Sequence, residues 1–312
     1  EVFTTEDGLL DNTINCIFQD AKLNLWFGTP RGACRLNNLD GKFEIFSEKQ
    51  GITGAINSGL KDKQNQIWLT SDEGVYVLQD DVLKEKILPQ NGLAGDFINC
   101  ILQDANANIW FGGNLGVSKI TNRRFMILDA PNGLLKNTPV TATVEDKKGK
   151  VWIGTNNHLL SYENKKIGIE KSDISVRSLF LDSKNTLWIG TIGDGVFQLK
   201  EGKYKNYTTE DGLRDNTIYC ITEDDQGRVW LGTDKGLSRI ETNGKITTFS
   251  ENQGLADNYV RCALKDNNGI MWFGTYRGLS RFQDGVFQNF TTKNGLANNI
   301  VLSITQDTKG TI

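Results

Sequence analysis

A seven-bladed β-propeller, an all-β fold of four-stranded blades, is predicted by three features of this 312-residue chain: a tryptophan that recurs at a fixed interval, period-two alternation between turn signals, and four strand-like segments in each interval. The tryptophans stand at Trp26, Trp68, Trp110, Trp152, Trp188, Trp230 and Trp272, with gaps of 42, 42, 42, 36, 42 and 42 residues. Four strands per unit, repeated seven times, give the blade count. The expected organisation is one propeller domain over residues 1–312. Residues 291–312 read as the start of a further repeat, because Phe290 to Ile312 reproduce the register of Phe3 to Leu25 at a constant offset of 287. Eight-bladed closure is therefore the alternative.

The first strand of each unit is typified by Thr217 to Asp224, with counterparts at Phe97 to Asp104 and Tyr259 to Asp266. Apolar or small residues on both faces predict a strand covered on both sides. One slot holds Cys16, Cys100, Cys220 and Cys262, and elsewhere Ser58, Ala142, Ser178 and Ser303, so small size is what it requires. Aspartates end the strand at Asp20, Asp62, Asp104, Asp146, Asp182, Asp224, Asp266 and Asp307. Three residues later comes Asn65, Gly149, Asn185, Gly227, Gly269 or Gly310. An Asp that accepts turn amides, followed by a residue that tolerates the left-handed region, is hairpin chemistry rather than catalysis.

The second strand carries the tryptophan and then Gly-Thr or a close variant, as at Gly28-Thr29, Gly154-Thr155 and Gly232-Thr233. A large ring beside a residue with no side chain predicts a core aromatic at a point of close backbone approach. A third strand follows at Gly236 to Ile240 or Gly278 to Phe282, and a more polar, aromatic-rich fourth at Tyr204 to Thr208 or Phe287 to Thr291. The link to the next unit, as in Asp211 to Asn216 and Gln253 to Asn258, puts Gly at the turn, Leu as a plug and Asp or Asn as a backbone tie. Blade five lacks this device. Lys171 to Ser175 replaces it, and the shortening predicts a notch on one face.

Composition narrows the function. No run approaches the roughly 18 apolar residues of a membrane span, and because Glu1 to Thr5 already belong to a repeat, no signal sequence is expected within these residues. A net charge of -3, with both signs spread through every repeat, offers no footprint for a nucleic acid. Five cysteines, an odd number, argue against a disulfide framework, and unpaired thiols suit a reducing compartment. No cofactor or metal is expected.

The recurring string of Gly212-Leu213, Asn216, Ile218, Ile221, Asp224, Gly227, Trp230, Gly232-Thr233, Gly236-Leu237, Arg239 and Ile240 resembles the two-component regulator propeller repeat. The resemblance runs through essentially the whole chain and is weakest in blade two, at Ala55, Gly59 and Thr70, and in blade five. It implies the extracytoplasmic or periplasmic sensor portion of a bacterial histidine kinase, hybrid one-chain systems included, or of a related receptor. Several such receptors respond to glycan fragments. The kinase or cyclase output, the membrane helix and the second propeller often found in them have no counterpart in this sequence.

Where the framework repeats, the informative positions are those that vary. The connection between second and third strands carries Arg31, Glu73, Asn114, His158, Asp194, Lys235, Tyr276 and Arg277, and the third position of the first strand carries Asn15, Asn57, Asn99, Thr141, Arg177, Tyr219 and Arg261. On a propeller these positions gather around the channel mouth. Arg31, Glu73, Asn114, His158, Arg177, Asp194, Tyr219, Lys235, Arg261, Tyr276 and Arg277 are the candidate ligand-binding residues, with arginines for anions, amides and hydroxyls for sugar hydroxyls, and tyrosines for stacking. The expected ligand is anionic or polar.

Catalysis has little material. His158 is the one histidine and replaces the glycine that opens the third strand elsewhere. Neither a Ser-His-Asp set nor a His-based metal site is evident, and only a carboxylate pair such as Glu73 with Asp194 keeps a glycosidase or lyase in view. The sequence thus reads as a non-catalytic sensing module whose partners are a small-molecule or oligosaccharide ligand and the remaining receptor domains. A protein-protein scaffold or dimerisation module, engaging a second copy of the propeller, is the alternative.

Overall fold

Each repeat folds into one four-stranded antiparallel sheet whose first hairpin is organised by an Asp, and after blades one, two, five, six and seven a capped 3-10 turn leads the chain onward. In the computed structural model, which describes residues 3–121, 124–128, 138–164 and 166–312, seven such sheets follow in chain order, each pairing first to second to third to fourth strand. That is the blade complement of a seven-bladed β-propeller. Blade six shows the pattern: Ile218–Glu223, Val229–Thr233, Gly236–Ile240 and Ile246–Phe249.

The chain divides into two compact units, Phe3–Glu170 with blades one to four and Lys171–Ile312 with blades five to seven. Within the first, Trp26 packs with Ile56, Leu69 and Tyr76 of blade two. Trp68 packs with Ile98 and Phe111 of blade three, and Trp110 with Val140 and Ile153 of blade four. In the second unit Trp188 meets Ile218 and Leu231, and Trp230 meets Val260 and Phe273. Each of these five rings thus reaches into the next blade, which explains why the first strands there are apolar or small on both faces.

The aspartates do more than make turns. At Asp62 one carboxylate oxygen accepts the amides of Gln64 at 2.9 Å and Gln66 at 2.8 Å, while the other accepts the Trp68 indole at 2.8 Å. The same indole bond joins Asp20 to Trp26, Asp104 to Trp110, Asp146 to Trp152, Asp182 to Trp188, Asp224 to Trp230 and Asp266 to Trp272. The left-handed position holds Asn65, Asn185, Gly149, Gly227 and Gly269 as the turn chemistry requires, but also Leu23 at φ 66° and Ala107 at φ 64°. There the turn overrides residue preference at a local cost.

The Gly-Thr pair serves a tight crossing. A Cβ on Gly232 would lie 2.4 Å from the Cys220 sulfur and 2.9 Å from Val260 of the next blade, so the small slot and the glycine are one packing requirement. The threonine closes the following turn, with Thr233 Oγ1 donating to the Gly236 carbonyl at 2.7 Å. On the third strand, Arg239 lies opposite Trp230 with its guanidinium 5.0 Å from the ring centroid, a cation–π cap on the core aromatic.

The links form as their residues demand. After Thr208 caps the 3-10 turn Thr209–Asp211, Gly212 takes φ 107° and Leu213 is buried. Asn216 Oδ1 accepts the Thr209 amide, and Asp215 Oδ1 accepts the amide of Thr217 as the chain enters blade six. Between Lys166–Ser172 and Val176–Leu181 the link is only Asp173 to Ser175, and Ile174 is buried in it.

Candidate ligand-binding site

The variable third residue of the first strand owes its freedom to a β-bulge. In blade six Ile218 pairs with Thr233 and Cys220 with Gly232, which leaves Tyr219 without a counterpart. The same break surrounds Asn57, Asn99, Thr141, Arg177 and Arg261. A bulge removes its residue from the pleat and re-aims the side chain.

The two units use this position differently. In the first, Asn15, Asn57 and Asn99 donate their side-chain amides to the carbonyls of Ile56, Ile98 and Val140, at 3.0, 3.1 and 3.3 Å. These three are staples between blades, whereas Thr141 Oγ1 donates to the Gly154 carbonyl within its own blade. In the second unit the bulges present Arg177, Tyr219 and Arg261, and the blade-to-blade tie passes to Ser178, which donates to the Ile218 carbonyl.

Arg177, Tyr219 and Arg261 assemble with two more tyrosines into an alternating ladder across blades five to seven. The Arg177 guanidinium lies 5.7 Å from the Tyr219 ring centroid, and the Arg261 guanidinium 4.0 Å from Tyr219 and 5.6 Å from Tyr276. Tyr276 stacks on Tyr259 with centroids 5.2 Å apart and planes 7° from parallel. Both rings are exposed, at 39% and 43%. Tyr219 donates its hydroxyl to Asp234 Oδ2 at 2.9 Å, whereas Asp234 Oδ1 is buried with no partner among the described residues. Burial, and then the Asp234 acceptor, push the Tyr219 phenol up, against the lowering influence of Arg261, so it stays protonated as a donor. Neither ladder arginine has an ion-pair partner among the described residues, in contrast to the other cations nearby.

Those other cations are committed. Arg277 Nε lies 3.1 Å from Asp257, and Lys235 Nζ 2.8 Å from Asp215. Although burial raises the Asp215 carboxyl, its bonds to Lys235 and to the Thr217 amide hold it below the ordinary value. Asp194 is exposed, and its carbonyl accepts from Asn206 at 3.2 Å.

The candidates of the first unit are dispersed among local contacts. Arg31 is exposed, with its amide donating to Thr29 Oγ1. Glu73 accepts from the Thr53 hydroxyl and from Lys86 at 3.4 Å; the Thr53 bond leads in holding its carboxyl low. Asn114 donates to Asp96 at 3.4 Å. His158 opens its strand in the glycine's place, and its carbonyl accepts from Thr155 as glycine carbonyls do elsewhere. Its Nδ1 is buried without a partner among the described residues. Asp234 is among the variable positions of the connection between second and third strands, whereas sequence reasoning passed over Tyr259. The one signal for Tyr259 is an aromatic at a strand entry where blade six has Thr217.

Comparison with known proteins places the repeats. The family profile described as two component regulator propeller matches residues 8–31, 134–157, 170–193, 212–235 and 254–277. These are two-component regulator propeller repeats. The repeats of Trp68 and Trp110 lie outside the matched segments, while the shortened repeat of Trp188 lies inside one, so blade five is a better regulator-propeller repeat than its missing link suggests. No curated protein sequence matches the chain.

Among solved structures, the extracellular domain of the putative hybrid two component system BT3049 from B. thetaiotaomicron is similar at 20% identity and a TM-score of 0.67, over 95% of this chain and 54% of that one. The extracellular domain of the putative one component system BT4673 from the same organism is similar at 20% identity and a TM-score of 0.62, over 95% and 49%. This chain therefore spans about half the length of those relatives. Virginiamycin B lyase from Staphylococcus aureus shares the architecture at 16% identity and a TM-score of 0.58, over 75% and 83%. At such identities the likeness is one of fold. No helix among the described residues is long and apolar enough to cross a membrane.

Proposed function

We propose that this chain is a non-catalytic, ligand-sensing propeller module of a two-component-type signalling receptor, that it works outside the cytoplasm, and that glycan fragments are its ligands. The observation that carries the reading is the use of the bulge positions. Where the first unit uses them for blade-to-blade ties, the second presents two unpaired guanidinium groups and a phenol, backed by an exposed tyrosine pair. Regulator-propeller repeats, and structural relatives that are extracellular domains of two-component-type systems, support the receptor setting.

The non-catalytic part rests on the ladder's chemistry. It offers donors, a charge and ring faces, which bind and orient. Tyr219 is held as a hydrogen-bond donor rather than a base.

The test is a thermal-shift titration of the chain against neutral and acidic oligosaccharides, alongside Arg177→Ala and Arg261→Ala. A ligand at one hundred times its Kd adds about 2.7 kcal/mol to the folded state, and the shift should disappear in the variants. Concentration-dependent self-association with no ligand-induced shift would favour an interaction scaffold instead. Turnover of any added glycan would refute the non-catalytic assignment.

A further inference from the structure

Three features of the ladder specify its ligand more narrowly than a polar molecule. First, two guanidinium groups flank one ring, and neither has an ion-pair partner among the described residues. Arg261 sits 4.0 Å from the Tyr219 centroid and Arg177 approaches the same ring at 5.7 Å. Second, a carboxylate oxygen, Asp234 Oδ1, is buried beside them with no donor among the described residues. A buried acceptor without a partner calls for a hydroxyl or amide donor. Third, the ladder ends in the stacked, exposed pair Tyr259 and Tyr276, an apolar surface of the kind that takes the C–H face of a pyranose.

We infer that the Arg177–Tyr219–Arg261 ladder, with Asp234 and the Tyr259–Tyr276 pair, is a binding site for an acidic saccharide, a sugar bearing a carboxylate or a sulfate. This inference rests on the sensing role proposed above and names the ligand class for it. The anionic group bridges the guanidiniums, a ring hydroxyl donates to Asp234 Oδ1, and the sugar ring lies against the tyrosine pair. Each part of the ligand answers one feature of the protein. A neutral sugar leaves the two arginines without an ion-pair partner, and a phosphate dianion brings a second negative charge toward Asp234. An apolar ligand satisfies neither group. Carboxylate and sulfate differ in shape but make the same charge-assisted contacts with paired arginines.

The experiment is calorimetric titration of the 312-residue chain with four sets of di- and trisaccharides: uronates, their methyl esters, hexose sulfates and the neutral hexoses. Uronates or sulfates should bind at least tenfold more tightly than the neutral and esterified sets, and which acidic set binds identifies the anion. Arg261→Ala and Arg177→Ala should each weaken acidic binding about 10- to 100-fold, the range for loss of a charge-assisted hydrogen bond, and Arg261→Lys should recover part of it. Asp234→Asn should weaken binding while keeping the preference for acidic over esterified sugars. Unchanged melting of the unliganded arginine variants separates loss of a contact from loss of fold.

Neutral or esterified sugars binding as tightly as acidic ones would overturn the inference and leave the sensing role standing. Acidic binding that survives both arginine substitutions would likewise overturn the site. No binding by any of the four sets would overturn the inference and the glycan-sensing role together.

Discussion

Replacing Asp62 with Asn tests whether the aspartate–indole bond, present in all seven blades, holds the blade together or merely accompanies it. The carboxylate is 2% exposed and accepts three hydrogen bonds, two from turn amides and one from Trp68. Asn is nearly the same size and can keep its carbonyl oxygen toward the amides of Gln64 and Gln66. Its NH2 then faces the indole N–H, donor against donor. One charge-assisted bond is lost, about 1.5–3 kcal/mol, and two buried N–H groups compete for no acceptor, at about 1–3 kcal/mol. The expected loss is about 3 kcal/mol, read as a lowered urea midpoint with an unchanged m-value.

Trp68→Phe removes the other partner, and the double variant closes a cycle. With no indole present, an amide at position 62 opposes nothing, so the double variant should be about 1.5–3 kcal/mol more stable than the two single losses added together. Additivity within about 0.5 kcal/mol would show that the two residues act independently. The bond would then be incidental to the packing of the ring.

Other outcomes follow from features of the same repeat. Gly232→Ala should destabilise the chain by about 2–4 kcal/mol in a denaturant melt, because the added methyl meets the Cys220 sulfur and, at 3.1 Å, the Val260 carbonyl. Leu23→Gly should instead raise stability by about 0.5–1 kcal/mol, since leucine at φ 66° bears the left-handed penalty that glycine avoids. Burial pushes the thiols of Cys16 and Cys220 up to about 12 and those of Cys34 and Cys100 up to about 11. Native protein at pH 8 should therefore resist iodoacetamide until denaturant is added, and prompt alkylation of the folded chain would contradict the packing assignment. The same shifts set a sign for alkaline stability. The folded chain holds protons that the unfolded chain releases near pH 9, so stability is complete below that value. It then falls as pH rises toward 11 to 12, by about 1.4 kcal/mol per thiol per pH unit. A melt midpoint that is flat from pH 8.5 to 10.5 would count against it.

Much of the fold was legible because the repeat states it seven times. The interval between tryptophans gives the blade, Asp with Gly or Asn gives the first hairpin, and Gly-Leu gives the link. The bond from Asp to Trp was legible in principle, since the two stand six residues apart in every repeat, but turn chemistry already accounted for one carboxylate oxygen and hid the work of the other. Leu23 and Ala107 in left-handed turns could not be read, because residue preference points the opposite way and the closed hairpin decides.

At the candidate site, sequence variation marked the bulged strand position but could not say what variation meant there. Asn57 and Tyr219 occupy the same bulge, yet one side chain is spent on the neighbouring blade and the other joins a ladder. Which of these happens depends on whether the side chain reaches the next blade's carbonyl, a distance that spacing in the chain does not contain. Arg277 and Lys235 looked as available as Arg177 and Arg261, and only their proximity to Asp257 and Asp215 separates them.

The extra residue in each bulged first strand has an evolutionary meaning. It is the one position of the repeat exempt from the alternation that fills the space between blades, so exchanging it leaves tryptophan, glycine and aspartate to their tasks. Where the side chain is not tied to the neighbouring blade, as at Tyr219 and unlike at Asn57, a lineage can therefore change it without disturbing the packing that folds the blade. There, what the surface displays and what folds the blade are inherited on separate letters of the same forty-two-residue word.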